Sequence, residues 1–141
     1  MMMIESHWEQ VEFHDARVEC VRDENQGITF ELLSVVVLDR HPLNKARRNI
    51  VLPRCLLHFR NVKSTIVRSY QSSTDTWTNC EKPYPYMKEI AEAQIAPNKW
   101  CITGFDAAGI WLEWQIEEFY SVQLEPPRDG ELDSPARPAQ P

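Results

Sequence analysis

The sequence predicts a mainly β protein, an antiparallel sandwich or partly open barrel of about six or seven strands with one short helix. Three observations carry this. The clearest strand signal is IWLEWQIEEFYSVQLE, where even positions hold Ile110, Leu112, Trp114, Ile116, Tyr120, Val122 and Leu124 and odd positions are polar apart from Trp111 and Phe119. Period two means an antiparallel sheet with one buried face. Earlier, the turn signal DENQG separates ARVECVRD from ITFELLSVVVLD, a run rich in Ile, Phe, Leu and Val, which reads as a hairpin. Finally, a chain of 141 residues, 43% hydrophobic, suits one core in one domain, residues 1–125.

In IVLPRCLLHFRNV, Val51, Pro53, Cys55, Leu57 and Phe59 share one parity, opposite Arg54, His58 and Arg60. Proline lacks the N–H a ladder needs, so this strand lies at an edge or breaks at Pro53. A further strand fits STIVRSY. Residues Ser72 to Tyr86, rich in Ser, Thr and Pro, read as a loop. In MKEIAEAQIA, Met87, Ile90, Ala91 and Gln94 recur at helical spacing and Pro97-Asn98 ends the pattern, so a helix is expected over Met87–Ala96. KWCITGF and the long alternating run then form a hairpin across DAAG, and because a strand of that length is unusual, a bend is expected near Glu117-Glu118. Residues 126–141, PPRDGELDSPARPAQP, have little to bury and are expected to be disordered.

The net charge of −6 hides a pattern: Lys45 to Arg68 holds seven basic and no acidic residues, while the segments on either side are acidic. Clustered Lys and Arg suit phosphate. The protein as a whole is acidic, however, and Glu19, Glu31, Glu113 and Glu117 can pair with the basic segment across a sheet, so nucleic acid is an unfavoured partner. No run of about twenty apolar residues spans a bilayer, and MMMIESHWEQ lacks the features of a signal peptide, so a cytoplasmic protein is expected. Cys20, Cys55, Cys80 and Cys101 are far apart, which suits free, mostly buried thiols. No cofactor or metal is expected: there is no C-x-x-C pair and no glycine-rich phosphate loop.

The stretch EFHDA puts His14 beside Asp15. Metal-dependent phosphohydrolase chemistry needs further histidines delivered from helices, and in extended chain these two side chains would point to opposite faces. His14 and Asp15 are therefore expected to form a structural corner, with His14 buried and hydrogen-bonded. Cys55 and His58, three apart on a strand, have opposite parity and make no nucleophile pair. Trp77, Tyr84 and Tyr86, with the acidic Asp75, Glu81 and Glu113, are the candidate contacts for a partner, since loop aromatics commonly anchor interfaces.

EFHDA, followed by CLLHFRNV and GIWLEWQI, resembles a layout recurring in small uncharacterised bacterial domains, some of which resemble immunity proteins of polymorphic toxin systems. The likeness runs from Trp8 to Glu125. It implies a stand-alone β-rich domain that binds something, without assigned catalysis or established functional residues. The expected function is accordingly a non-catalytic protein-binding domain, an immunity-type protein whose acidic surface meets a basic toxin. The alternative is a small-ligand or hydrolytic enzyme using His14. An edge strand open at Pro53 would also allow a homodimer.

Overall fold

The computed structural model describes residues 3–127. The Pro-rich segment expected to be disordered lies outside the described residues from 128 on.

Alternation builds most of the strands. β2 (Arg17–Glu24) and β3 (Gly27–Leu33) form the expected hairpin across Asn25 and Gln26. Both turn residues have positive φ, 54° and 62°, the conformation that matches the twist of a two-residue hairpin. At Ser34, φ 68°, the chain leaves this sheet and enters β4 (Val35–Val37). β4 sits between β1 (Val11–Glu12) and β5 (Ile50–Leu52) in a small three-stranded sheet. The excursion between β4 and β5 is tied down by buried Asn44, whose amide donates to the Val37, Leu38 and Arg48 carbonyls.

The run expected to break at Pro53 does so. Ile50 and Leu52 are buried in β5, whereas Cys55, Leu57 and Phe59 are buried in β6 (Cys55–Arg60), so the buried parity switches across Pro53-Arg54. β7 (Ser64–Gln71) is the strand read from STIVRSY. It pairs with β8 (Thr76–Asn79), which corrects the reading of Ser72–Tyr86 as an uninterrupted loop: the turn at 72–75 closes a hairpin instead.

The expected helix over Met87–Ala96 is absent; Glu89–Ala96 is β9, joined by Pro97-Asn98 to β10 (Lys99–Phe105). Helix propensity in EIAEAQIA is a weak local preference, and pairing along the whole of β10 overrides it. The one helical turn among the described residues is a 3-10 turn at Trp8–Gln10. The long alternating run divides where expected: β11 (Trp111–Glu117) ends, Glu118 takes φ 54°, and β12 (Ser121–Glu125) goes elsewhere. Among the described residues there are thus twelve strands, not six or seven, in antiparallel sheets of three and nine, and no closed barrel.

The large sheet runs β12-β6-β3-β2-β9-β10-β11-β7-β8, with a seam between β2 and β9, where Arg17 and Glu89 are the one register pair. Phe30 on β3 and Trp114 on β11 are four strands apart in that order, which in a flat sheet is roughly 19 Å. Their ring centroids are 5.5 Å apart. Phe59 on β6 and Trp100 on β10, also four apart, are separated by 5.1 Å. The sheet therefore folds over at the seam into a sandwich-like pair of half-sheets enclosing Ile28, Phe30, Leu32, Leu57 and Phe59 against Trp100, Ile102, Leu112, Trp114 and Ile116, all buried. No helix among the described residues is long and apolar enough to cross a membrane.

At the Thr103/Gly104 register shift between β10 and β9, a side chain on Gly104 would collide with the Glu89 carbonyl and lie 2.9 Å from Met87 Sδ. Gly104→Ala should therefore lower stability by about 1–3 kcal/mol in a denaturant titration; an unchanged midpoint would show that this approach is looser than described.

Candidate functional site

The outer face of β10, β11, β7 and β8 carries a row of aromatic residues. Burial of Leu112, Trp114 and Ile116 turns Trp111, Glu113 and Gln115 outward. Trp111 lies directly opposite Phe105, with centroids 4.2 Å apart. Leu112 faces Ser69, so continuing the register by one residue puts Trp111 beside Tyr70. Tyr70 in turn faces Trp77, at 5.5 Å. Four aromatic residues thus span four adjacent strands, and Trp111 and Trp77 remain 38% and 36% exposed.

Charged groups hold this row. Arg68 faces Glu113 across β7 and β11, with Nε and Nη2 donating to Glu113 Oε1 at 2.8 and 2.5 Å, and its guanidinium lies 5.3 Å from the Trp77 ring. Burial pushes the Glu113 carboxyl up, but hydrogen bonds from Gln115 and Arg68 outweigh it, and the group titrates below its ordinary value. Next to it, burial and then Glu113 raise the Cys101 thiol to about 11, so it stays protonated and unreactive. The Tyr70 hydroxyl donates to Asp75, and this bond raises its pKa.

The six expected contact residues divide between two places. Asp75, Trp77 and Glu113 belong to the platform, although Glu113 is committed to Arg68, and β8 is a strand at the sheet edge. Tyr84 packs edge-on against the inward-facing Trp114 at 5.2 Å, and the Tyr86 hydroxyl donates to the Val18 and Glu19 carbonyls. These two tyrosines pin the segment before β9 over a crevice of about 290 Å³, whose mouth carries the Lys82–Asp23 pair at 3.1 Å. In that crevice wall the buried indole N–H of Trp114 has no acceptor. Glu81 is exposed in the same segment. Sequence reasoning missed Tyr70, Arg68, Phe105 and Trp111; Trp111 standing at a polar-parity position was the available signal.

Part of the basic segment is engaged in cross-strand pairs. Arg54 and Arg22 both bond Glu31, at 2.7 and 2.9 Å, Arg68 bonds Glu113, Arg60 bonds Gln123, and His58 lies between Thr29 and Glu125, whereas Glu117 pairs with Lys99 outside the segment. Of the four free thiols, Cys55 alone is fully buried, a correction to the expectation that most would be; burial pushes it up to about 12.

His14 and Asp15 occupy a turn between β1 and β2. Asp15 has φ 68°, its N–H donates to the Ile90 carbonyl, and Ala16 N–H donates to Phe13 O. Two expectations are corrected here. The chain is not extended, so the side chains meet, His14 Nε2 lying 3.4 Å from Asp15 Oδ2; and His14 is not buried, its side chain being 66% exposed. Its Nδ1 bonds the Ala91 carbonyl at 2.6 Å. That carbonyl first, and Asp15 second, raise the His14 pKa. Among the described residues no group of three or more His, Cys, Asp or Glu could hold a metal ion. No protein-family model, curated protein or solved structure matches the chain.

Two pH effects follow. Glu113 is depressed on folding, so its contribution is present above the unfolded carboxyl pKa of about 4.3 and is lost as pH falls through the lower folded value. Glu113→Gln should cost about 1–3 kcal/mol at neutral pH and converge on the parent in acid; a gap that persists in acid would refute the assignment. His14 is raised, so its contribution is present below about pH 6.5 and is lost as pH rises through the folded value. His14→Ala should destabilise more at about pH 5.5 than at about pH 8.5; the opposite order in thermal melts would contradict the Ala91 bond.

Proposed function

We propose that this protein is a non-catalytic binding domain whose aromatic platform docks on another protein. The observation that carries the reading is the row Phe105–Trp111–Tyr70–Trp77 with Arg68 beside it, because Trp, Tyr and Arg are the residues that dominate binding energy at protein interfaces. The hydrogen bonds that hold Arg68 and Tyr70 also reduce the ordering that binding must impose.

Two features favour a protein over a sugar or a nucleic acid. Tyr70 and Trp77 are inclined at 58° and Phe105 and Trp111 at 50°, so the row is ridged and offers no coplanar surface on which flat rings stack in series. A net charge of −6 repels phosphate and attracts a basic protein. An immunity-type role, the neutralisation of a basic toxin in the cytoplasm, fits this chemistry and the four free thiols. The alternative built on His14 has less support: the imidazole is exposed, its Nδ1 is taken by the Ala91 carbonyl, and the charged groups around it are the carboxylates Glu12, Asp15 and Glu89.

A photo-crosslinking side chain at Ile66, opposite Gln115 on this face, should trap a protein from the cell that makes the domain. Trp111→Ala should then weaken binding of that protein by about 2–4 kcal/mol in calorimetry while the melting temperature barely moves. Capture of nucleic acid or saccharide alone, or binding indifferent to Trp111, would overturn the reading.

A further inference from the structure

β9 has an open edge. One side pairs with β10 throughout, but on the other side strand pairing stops at the seam, Arg17 opposite Glu89, and the last backbone bonds are those of Ile90 to Asp15 and Ala16. Beyond this point the two chains part. The segment 8–14 and the segment 91–97 form the walls of two adjoining depressions that share Val11 and Ala93, of about 520 and 550 Å³, with Trp100 in the floor of the first. This is a V-shaped cleft, closed at Ala16–Ile90, where His14 bonds the Ala91 carbonyl, and open toward Pro97.

The backbone in that wall is arranged for strand addition. Pro97-Asn98 is a two-residue loop, so Ala96 and Lys99 close the hairpin as a hydrogen-bonded pair, and alternation turns the N–H and C=O groups of Ala93 and Ile95 away from β10. Such unpaired edges are normally blunted by charge, proline or a covering segment. Here the β9 wall carries the small Ala91 and Ala93 with Ile95, its one charge is Glu92 and its proline stands beyond the strand at Pro97, and the opposite wall includes β1, itself an edge of the small sheet. Apart from His14 at the closed end, the ionisable groups along the cleft are the carboxylates Glu9, Glu12 and Glu92, and neither Lys nor Arg lines it.

We infer that this cleft receives an extended, basic segment of a protein partner, which adds to β9 as a further strand and sets its positive side chains against Glu9, Glu12 and Glu92. The other two occupants fit less well. A second copy would bring the same carboxylates against themselves. The chain's own residues 128–141 hold Asp129, Glu131 and Asp133 against Arg128 and Arg137, and prolines at 135, 138 and 141 cannot donate to a ladder. The inference uses a different face from the aromatic platform and stands whether or not that platform binds a protein.

The test uses the full-length chain, isotopically labelled, and short peptides of alternating lysine and valine or glutamate and valine. The lysine peptide should shift the amide resonances of Ala93 and Ile95 and slow their hydrogen exchange. It should bind roughly tenfold tighter than the glutamate peptide, a preference that reverses in the triple variant Glu9→Lys, Glu12→Lys, Glu92→Lys. N-methylation at alternate peptide residues should abolish the protection. Equal binding of the two peptides, protection at β8 or β12 instead, or indifference to N-methylation would overturn the proposal. So would slow exchange of Ala93 and Ile95 in the free monomer, which would mean that the chain fills its own cleft, or their protection only in a dimer seen by sedimentation.

Discussion

Between β2 and β9 the large sheet is held by one register pair, Arg17 with Glu89, and by the few backbone bonds of Asp15, Ala16 and Val18 around it. So short a seam lets the two half-sheets close on each other, and the aromatic side chains favour closure. Phe30 against Trp114, Phe59 against Trp100 and Phe59 against Phe119 are all edge-to-face pairs, each adding about 0.5–1.5 kcal/mol beyond the area it buries. A longer seam would have kept the sheet flatter and left these rings in water. The register shift at Gly104 and the αL turn at Asp15 lie beside the seam, where the backbone has to change direction.

Both surfaces assigned to binding derive from that closure. Folding turns Leu112, Trp114 and Ile116 inward, so the alternate residues of β11 face solvent, and Trp111 lines up with the aromatics of β10, β7 and β8. The same fold-over separates the N-terminal segment from β9 beyond Ile90 and leaves the cleft. As proposed, the two surfaces use complementary modes of recognition: an aromatic face reads shape through packed side chains, and an open strand edge reads extended chain through hydrogen bonds.

Much of this was legible in the sequence, for a local reason. A turn signal before a run of Ile, Phe, Leu and Val exposed the strand at Gly27–Leu33, period two exposed those within Trp111–Glu125, proline marked the break at Pro53, and strand length required the bend at Glu118, because each depends on neighbouring residues. The strand at Glu89–Ala96 was hidden: Ala, Glu and Gln favour a helix locally, and only β10, reached across Pro97-Asn98, makes the segment extended. The platform was half visible. Trp77 and Asp75 stood out in a polar stretch, but their union with Tyr70, Trp111 and Phe105 depends on the order β10-β11-β7-β8, which no local pattern encodes. The placement of Tyr84 and Tyr86 was equally hidden: Tyr84 packs inward because the core residue Trp114 lies beneath it, and Tyr86 stays 48% exposed with its hydroxyl on the Val18 and Glu19 carbonyls. His14 likewise needed Ala91, 77 residues away, to complete its corner.

Closure of the sheet is most directly tested by proton–proton Overhauser contacts between aromatic rings in the full-length protein. Cross-peaks from the Phe30 ring to the Trp114 indole and from the Phe59 ring to the Trp100 indole are predicted, since these centroids lie 5.5 and 5.1 Å apart. Absence of both, with the β2–β3 and β10–β11 hairpin contacts intact, would mean that the half-sheets do not close, and the platform and the cleft would lose their common basis.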